Sequence, residues 1–294
     1  MLLIINPNFQ NMPELSILCW NIEHFNGGGG IDRKTKDIRK DRVSRVVEYI
    51  RKDAPDIFAL SEVEGNIVHH SLTRELPGYV FNITEGRQSQ EILVGVKHGI
   101  TAFFTQRNEF KRSNPNLRPG ALLTVTMEDE DIPILFTHLK SMPSPEGFGL
   151  RDAMFGKAFN LKRALDKVAK RNGKTASNFI IIGDMNMMGM NYEGKMHDIS
   201  GTSEIEAVAK RFKRRGMAHL AKNHTATFNN GSKSRYPPAD LDHVFAAKHL
   251  NFKAVEGGGV VDVQGWAKID SISKQDQWIY EYSDHAPLKL TLEL

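Results

Sequence analysis

Short apolar runs recur along the whole chain, and most of them stop at a polar cluster. Residues 16–22 are mostly apolar, are broken near their end by Asn21, and read as a buried strand. Four consecutive glycines, Gly27 to Gly30, then predict a flexible loop. Between residues 33 and 52, Ile38, Val43, Val46, Val47 and Ile50 recur at roughly helical spacing with charges in the gaps, the pattern of an amphipathic helix. Ala54-Pro55-Asp56 stops it, and residues 57–60 form the next buried strand. A second helix is expected over 66–76, ended by Pro77-Gly78. Short strands follow at 79–83, 92–96, 102–105, 121–127 and 132–139, spaced as antiparallel neighbours. Residues 153–171 carry a strong helical pattern with Phe155, Phe159, Leu161, Leu165 and Val168 inward and Gly173 as terminator. Residues 179–182 are another core strand, and further strands are expected at 241–246, 259–263 and 286–292. Strands from start to end, with helices inserted and no linker, composition break or internal repeat, predict one α/β domain of two packed sheets with helices outside. That domain is expected over residues 15–294, with residues 1–14 a tail or an extra strand.

Composition narrows the class. The chain has 294 residues, 40% hydrophobic and 25% charged, enough to bury a core without disulfide staples. Cys19 is its one cysteine, so no intramolecular disulfide can form and a disulfide-built secreted fold is excluded. Residues 1–13 show no secretory signal pattern, and no apolar run approaches membrane-spanning length. The expected location is therefore the cytoplasm, and no membrane partner is expected. A formal charge of +4 permits attraction to phosphates without demonstrating it.

The chemistry gathers at strand ends. Five apolar runs terminate in Trp20-Asn21-Ile22-Glu23, Leu60-Ser61-Glu62-Val63-Glu64, Phe136-Thr137-His138-Leu139, Ile182-Gly183-Asp184-Met185-Asn186 and Leu241-Asp242-His243, and Ser283-Asp284-His285 precedes the final strand. One carboxylate at the end of a buried strand is usually a loop cap. Six clusters sharing Asp, Asn, Glu and His are another matter, because carboxylates crowded together repel unless a cation sits among them. Oxygen donors of these types suit a hard cation such as Mg²⁺, and the absence of cysteine clusters argues against structural zinc.

In this order the motifs resemble the endonuclease/exonuclease/phosphatase superfamily, which includes deoxyribonucleases, abasic-site endonucleases, sphingomyelinases and inositol-polyphosphate phosphatases. The resemblance runs from about Leu15 to Leu294 and implies a four-layer α/β/β/α sandwich of two packed mixed β-sheets flanked by helices, with the active site at one edge. It implies Glu62 as principal Mg²⁺ ligand (Mn²⁺ substituting), with Asn21, Asp284 and Glu23 around the metal. It implies that Asp184 and Asn186 position the attacking water and the phosphoryl oxygens, that Asp242 orients His285, that His138 is a second catalytic histidine with Glu91 as its carboxylate partner, and that Arg118 lies near the substrate phosphate. Both Asp184 and His285 are candidates for the base that takes the water's proton. Three positions depart from the common pattern. Ser61 stands where many relatives have glutamine, which would loosen a contact to Glu62. His243 follows Asp242 where tyrosine is frequent. His138 stands where abasic-site endonucleases carry tyrosine, which argues against that repair activity.

Loops over the scaffold should choose the substrate. Thr225-Ala226-Thr227-Phe228-Asn229 resembles the threonine-containing strand that precedes the Asp242 motif in relatives, which implies Thr227 and Asn229 as candidate phosphate contacts. Lys140, Arg235 and Tyr236 are candidate nucleic-acid contacts, with Tyr236 able to stack on a base. Lys210-Arg211-Phe212-Lys213-Arg214-Arg215 is the densest basic run, either a solvated helix face or a contact for a nucleic-acid backbone. A second basic cluster, Lys34, Lys36, Arg39, Lys40 and Arg42, is offset by neighbouring aspartates. The role of His24 is open, and Trp266, Trp278 and the methionines after Asp184 read as packing. The expectation is a nuclease acting on nucleic acid, DNA foremost and by endonucleolytic cleavage. The alternatives are a phosphatase or phospholipid phosphodiesterase of the inositol-phosphate or sphingomyelinase type, and a non-catalytic module; the filled acidic and histidine positions weigh against the last.

Overall fold

The computed structural model describes residues 13–26, 36–88, 90–111, 114, 115, 117–192 and 198–294. The glycine run Gly27–Gly30 and Lys34 lie outside the described residues, as do the side chains of Lys36, Arg39 and Lys40.

Seven strands build the first sheet: β1 (Glu14–Phe25), β2 (Ile57–Val63), β3 (Tyr79–Ile83), β4 (Glu91–Lys97), β11 (Asn251–Phe252), β12 (Asp262–Val263) and β13 (Leu288–Glu293). Their order is β11-β13-β1-β2-β4-β3, with β12 also against β13. Six build the second, in the order β5-β6-β7-β8-β10-β9: β5 (Thr101–Arg107), β6 (Gly120–Met127), β7 (Glu130–His138), β8 (Ile180–Asp184), β9 (Met217–His219) and β10 (Asp242–Ala247). Each sheet holds one parallel pair, β1 with β2 and β7 with β8, and is otherwise antiparallel. The antiparallel neighbours expected between residues 79 and 139 are present, but the chain changes sheet between β4 and β5.

Alternation of side chains sorts the strands into three cores. Leu15, Ile17 and Cys19 of β1 meet Ile134, Phe136, Ile180 and Ile182 between the sheets. Leu18, Trp20 and Ile22 of the same strand point the other way, onto Val46 and Ile50 of α1 (Lys36–Asp53) and Val68 and Leu72 of α2 (Asn66–Glu75). On the far side, Leu135, Ile181 and Phe245 pack on Phe155 and Phe159 of α3 (Pro145–Arg171) and Phe212 of α4 (Gly201–Lys213). Three apolar interfaces between four layers make the α/β/β/α sandwich. A fifth helix, α5 (Ile272–Glu281), brings Trp278 onto Trp20 in a stack 5.7 Å between centroids.

Three sequence expectations need correction. Helix α3 starts at Pro145, eight residues before the strong pattern, because Ser144 caps it by accepting from the Gly147 N–H at 3.2 Å. Val168 is 53% exposed and not inward, since it lies off the stripe set by Phe155 and Phe159. The strand expected at 259–263 shrinks to Asp262–Val263, because Gly257, Gly258 and Gly259 all take positive φ.

Candidate active site

The same alternation that fills the inter-sheet core delivers the polar groups. Two residues beyond Cys19, Phe136 and Ile182 stand Asn21, His138 and Asp184, and two before Val244 stands Asp242. Register places Asp242 and His138 directly across from Asp184 on its two neighbouring strands. The inward face is therefore apolar along its length and ionisable at one edge. Gly183 permits the close approach of β7 and β8 there: its φ is +144°, and a Cβ would lie 2.0 Å from the Thr137 carbonyl oxygen.

Glu62 reaches the cleft by a different device. By alternation alone it would point under the helices with Phe58 and Leu60. A bulge shifts the β2–β4 register between Ser61 and Val63, and Glu62 takes φ +63°. Such a left-handed non-glycine residue at a strand end is strained, and the bulge re-aims its side chain. Glu62 Oε1 accepts from Asn21 Nδ2 at 3.2 Å, and Oε2 accepts from Gln90 Nε2 at 2.8 Å and the His24 N–H at 2.9 Å. Ser61 is buried and offers Glu62 no amide; Gln90 does.

Asp184 is the hub. Its Oδ1 accepts from the Asn186 N–H at 2.9 Å; its Oδ2 accepts from Asn21 Nδ2 at 2.9 Å and Asn186 Nδ2 at 3.0 Å. His138 Nε2 lies 3.5 Å from that Oδ2 and 3.5 Å from Glu62 Oε1, and His285 Nε2 lies 3.8 Å from the same Oδ2. His285 Nδ1 is fixed by Asp242 Oδ2 at 2.8 Å. Behind them, Thr227 Oγ1 accepts from the Asp242 N–H at 2.9 Å, Lys222 Nζ donates to the Asp242 carbonyl at 2.7 Å, and Trp20 Nε1 donates to the His285 carbonyl at 2.8 Å. Ser283 Oγ ties the Asp284-His285 turn to β1 by donating to the Asn21 carbonyl at 2.7 Å.

Electrostatics follow from this crowding. Burial pushes Asp184 up to about 7, with Asp242 and Glu62 adding repulsion against the help of His285. Burial likewise pushes Asp284 to about 7, reinforced by Glu23 and Glu62. His285 is buried, which disfavours its charge, yet Asp242 and Asp184 lift it well above the usual imidazole range. His138 goes the other way: burial, then Arg118, hold it neutral.

Not every expected contact forms. Glu91 does not hold His138. It accepts from Thr84 Oγ1 at 2.6 Å and from Gln88 Nε2 at 2.6 Å, and His138 Nδ1 is buried with no hydrogen-bond partner among the described residues. The bulge that swings Glu62 inward makes Gln90 its neighbour, and Gln90 in turn pairs with Arg118. Thr227 is fully buried with its hydroxyl oxygen taken by the N–H groups of Leu241 and Asp242, so it supports Asp242 and is not exposed to a substrate. The Asn229 N–H donates to the Asp284 carbonyl at 2.8 Å. Arg235 and Tyr236 are exposed and bonded to each other at 2.9 Å. Lys140 lies in the loop past the end of β7, its carbonyl accepting from Arg151 Nη1 at 3.3 Å. Sequence reasoning missed Gln90 and Lys222, neither of which ends an apolar run, and gave no role to Ser283 within its motif. It left His24 open; that ring sits 2.9 Å from Glu64.

Could this cleft hold a metal? Asp184, Asp242 and His285 present ligand atoms within 4.8 Å of one another, a group able to hold an ion. Within that group, Asp242 Oδ2 and His285 Nδ1 are joined by a hydrogen bond. Glu62, Asn21 and Asp284 are oxygen donors of the type a hard divalent cation takes, and two carboxylates pushed to about 7 are short of positive charge. The residues fit such an ion.

The sequence matches the Endonuclease/Exonuclease/phosphatase family over residues 18–285. The chain belongs to that family. Its members are metal-dependent hydrolases acting on phosphodiester bonds. Among solved structures, truncated Caenorhabditis elegans TDP2 is 16% identical, with 96% of this chain and 98% of that one covered and a TM-score of 0.61. D. rerio TDP2 complexed with a single-strand DNA product gives 16%, 96%, 99% and 0.62 for the same quantities. The human Nocturnin catalytic domain with a bound sulfate anion gives 14%, 96%, 93% and 0.59. At these identities the likeness shows the shared sandwich. No curated protein matches the chain by sequence. No helix among the described residues is long and apolar enough to cross a membrane.

Proposed function

We propose that this family member is a Mg²⁺-dependent nuclease that hydrolyses phosphodiester bonds in nucleic acid, with DNA as its substrate and internal cleavage as its mode. The observation that carries the reading is Asp184: one carboxylate oxygen is reached by Asn21, Asn186, His138 and His285, groups from four separate chain segments, within 2.9 to 3.8 Å. A divalent cation bound by Glu62, Asn21, Asp284 and Glu23 would supply positive charge beside the phosphoryl group. The protein's own groups do the rest. His285 is locked by Asp242 with Nε2 facing Asp184, and its charged ring is suited to donate to a phosphoryl oxygen. Of Asp184 and His285, the charged imidazolium cannot accept a proton, and the proposal therefore assigns to Asp184 the orienting of the attacking water and the taking of its proton. Asn186 is fixed through Asp184 and the Leu139 carbonyl, and Arg118 stands near the cleft as an anion partner. Asn229, bonded to the Asp284 carbonyl, the exposed Arg235 and Tyr236, and Lys140 after β7 would serve as contacts for the nucleic-acid strand. The D. rerio TDP2 complex with a single-strand DNA product supports DNA over other phosphodiesters.

The test is incubation of supercoiled plasmid, single-stranded DNA and RNA with purified protein, with Mg²⁺, Mn²⁺ or EDTA. Asp184→Asn is expected to lower plasmid nicking by about 10³-fold while leaving the circular dichroism spectrum intact. If wild type leaves all three substrates uncut in both metals, the nuclease reading fails.

A further inference from the structure

The densest basic run of the sequence is not at the cleft. It ends α4, and the fold sets it beside the C-terminal half of α3. Together they line a groove of about 600 Å³ with Arg163, Lys167, Lys170, Arg171 and Arg215 on its walls. All five are exposed. Among the described residues, none has a carboxylate within 4.0 Å. The groove's single acid, Asp166, is already spent: it accepts from Lys162 and from the Ser177 N–H and hydroxyl, the latter two at 2.9 and 2.8 Å. Lys213 and Arg214 are exposed alongside.

Cations in the last turn of a helix favour the negative end of its dipole, and that accounts for Lys170 and Arg171. The effect fades within a turn. It does not account for Lys167 and Arg163, one and two turns further in; Arg215, just past α4, donates to the Arg211 carbonyl at 2.8 Å as a helix-end cation does, and that placement brings it onto the same groove. Unpaired like charges repel, so a row of them held close together is costly unless something anionic occupies it. The row is also shaped. Arg215 lies over the Phe159 ring at 4.4 Å from its centroid, which presets its side chain on the groove wall, while Arg211 on the same ring is paired with Asp152 outside the groove. From Arg163 to Arg171 it runs about 12 Å along the helix, long enough for several phosphates of one strand.

Helix α3 also measures the distance to the cleft. In its second turn, Arg151 grips the carbonyls of Lys140 and Met142 in the loop after His138, at 3.3 and 2.7 Å. The groove begins at Lys162 and ends past Arg171, so it lies roughly 17–30 Å along the helix from Arg151. We propose that the α3–α4 groove is a second nucleic-acid site, an exosite that holds the phosphate backbone of a strand away from the scissile bond. An acidic membrane fits less well. Val168 is the one large apolar side chain exposed within this stretch of α3, and a lone valine is a poor anchor for a helix lying on lipid.

This reading is separate from cleavage, although it supposes the same class of ligand as the proposed function. The test compares wild type with the quadruple variant K167A/K170A/R171A/R215A, none of whose positions belongs to the cleft. Binding is measured without metal, in EDTA, by fluorescence anisotropy with 40-base-pair and 10-base-pair DNA duplexes over a salt series; phosphatidylserine vesicles form a third arm. Hydrolysis of bis-p-nitrophenyl phosphate, too small to span the two sites, reports the cleft alone. The expected result is a Kd for the long duplex weakened about tenfold or more, and a slope of log Kd against log salt reduced by about one per side chain removed. Small-ester hydrolysis and Tm should stay at wild-type values. Equal Kd and salt slope in the two proteins would overturn the proposal. So would variant-sensitive binding of the vesicles without variant-sensitive binding of the duplex. Duplex binding through the groove in a protein that cuts no nucleic acid would sink the nuclease reading and leave the exosite standing.

Discussion

Asp184 and Glu91 show what a side chain's neighbours decide. Both are partly or fully buried carboxylates near the cleft, and burial raises both, but only Asp184 is shared between the two histidines. Glu91 instead pins the start of β4 to Thr84 and Gln88. Replacing His285 by Ala should therefore lower the rate of plasmid cleavage by ~10²–10⁴-fold, the range of a lost acid–base or charge-stabilising partner. Glu91→Gln should cost less than about tenfold, since a glutamine keeps both the shape and an acceptor for Thr84. Steady-state rates for the two variants at equal protein concentration check this; a loss in Glu91→Gln as large as in His285→Ala would mean that Glu91 reaches His138 after all. The cleft residues Asn21, Asp184 and Asp242 were legible because each continues the apolar alternation of its strand into a polar end, and His285 because Ser283-Asp284-His285 forms a polar cluster just ahead of the final strand. Glu91 was not, because a one-residue bulge at Glu62 changes which member of Gln90-Glu91 faces the cleft, and a bulge leaves no mark in the hydrophobic pattern.

At the scale of elements, the site depends on how tightly β7 and β8 lie together. They are the parallel pair of the second sheet, and Gly183 sits where they are closest, with φ +144° and the Thr137 carbonyl in the space of its missing Cβ. Gly183→Ala should push the two strand ends apart, separating His138 from Asp184. The expected cost is about 3 kcal/mol or more. That corresponds to a Tm lower by roughly 6–12 °C, with cleavage lost faster than stability. Thermal denaturation paired with activity at 20 °C distinguishes the two; a wild-type Tm would show that the strands can separate without penalty. Elements with a strong period were readable in advance, including both strands of this pair. Helix α5 was not: of its ten residues one, Ile279, is buried, so no apolar stripe stands out. The first turns of α3 were hidden by Pro145, Gly147 and Gly149, residues that normally end a helix; here Pro145 occupies the first turn and a capping serine precedes it.

The whole molecule carries the cleft as a stored electrostatic cost. Asp184 and Asp284 are each raised from 3.8 to about 7 in the folded protein, so between about pH 4 and 7 the native state binds protons that the unfolded chain has released. Where the native state binds more protons, stability falls as pH rises. The metal-free protein is therefore penalised above pH 7, by up to about 4 kcal/mol for one such carboxylate, since each tenfold change in proton affinity is worth ~1.4 kcal/mol. His285, also raised, loses its contribution in the same direction as pH climbs through its folded value. His138, His219 and His243 are depressed and act oppositely, favouring the native state as pH rises towards 6.5. A divalent cation in the cleft competes with the protons on Asp184 and Asp284 and with the charge on His285 beside them. The difference in Tm with and without Mg²⁺ thus reports these raised groups together, apart from His219 and His243: it should be small at pH 5 and grow to pH 8. Asp184→Asn removes one buried charge, so it should raise the Tm of the metal-free protein at pH 8 while shrinking the Mg²⁺ increment. Differential scanning fluorimetry at four pH values, with EDTA or excess Mg²⁺, measures both. An increment that does not change between pH 5 and pH 8 would show that the cation does not draw its binding energy from Asp184 and Asp284, and the charge balance derived for the cleft would have to be abandoned.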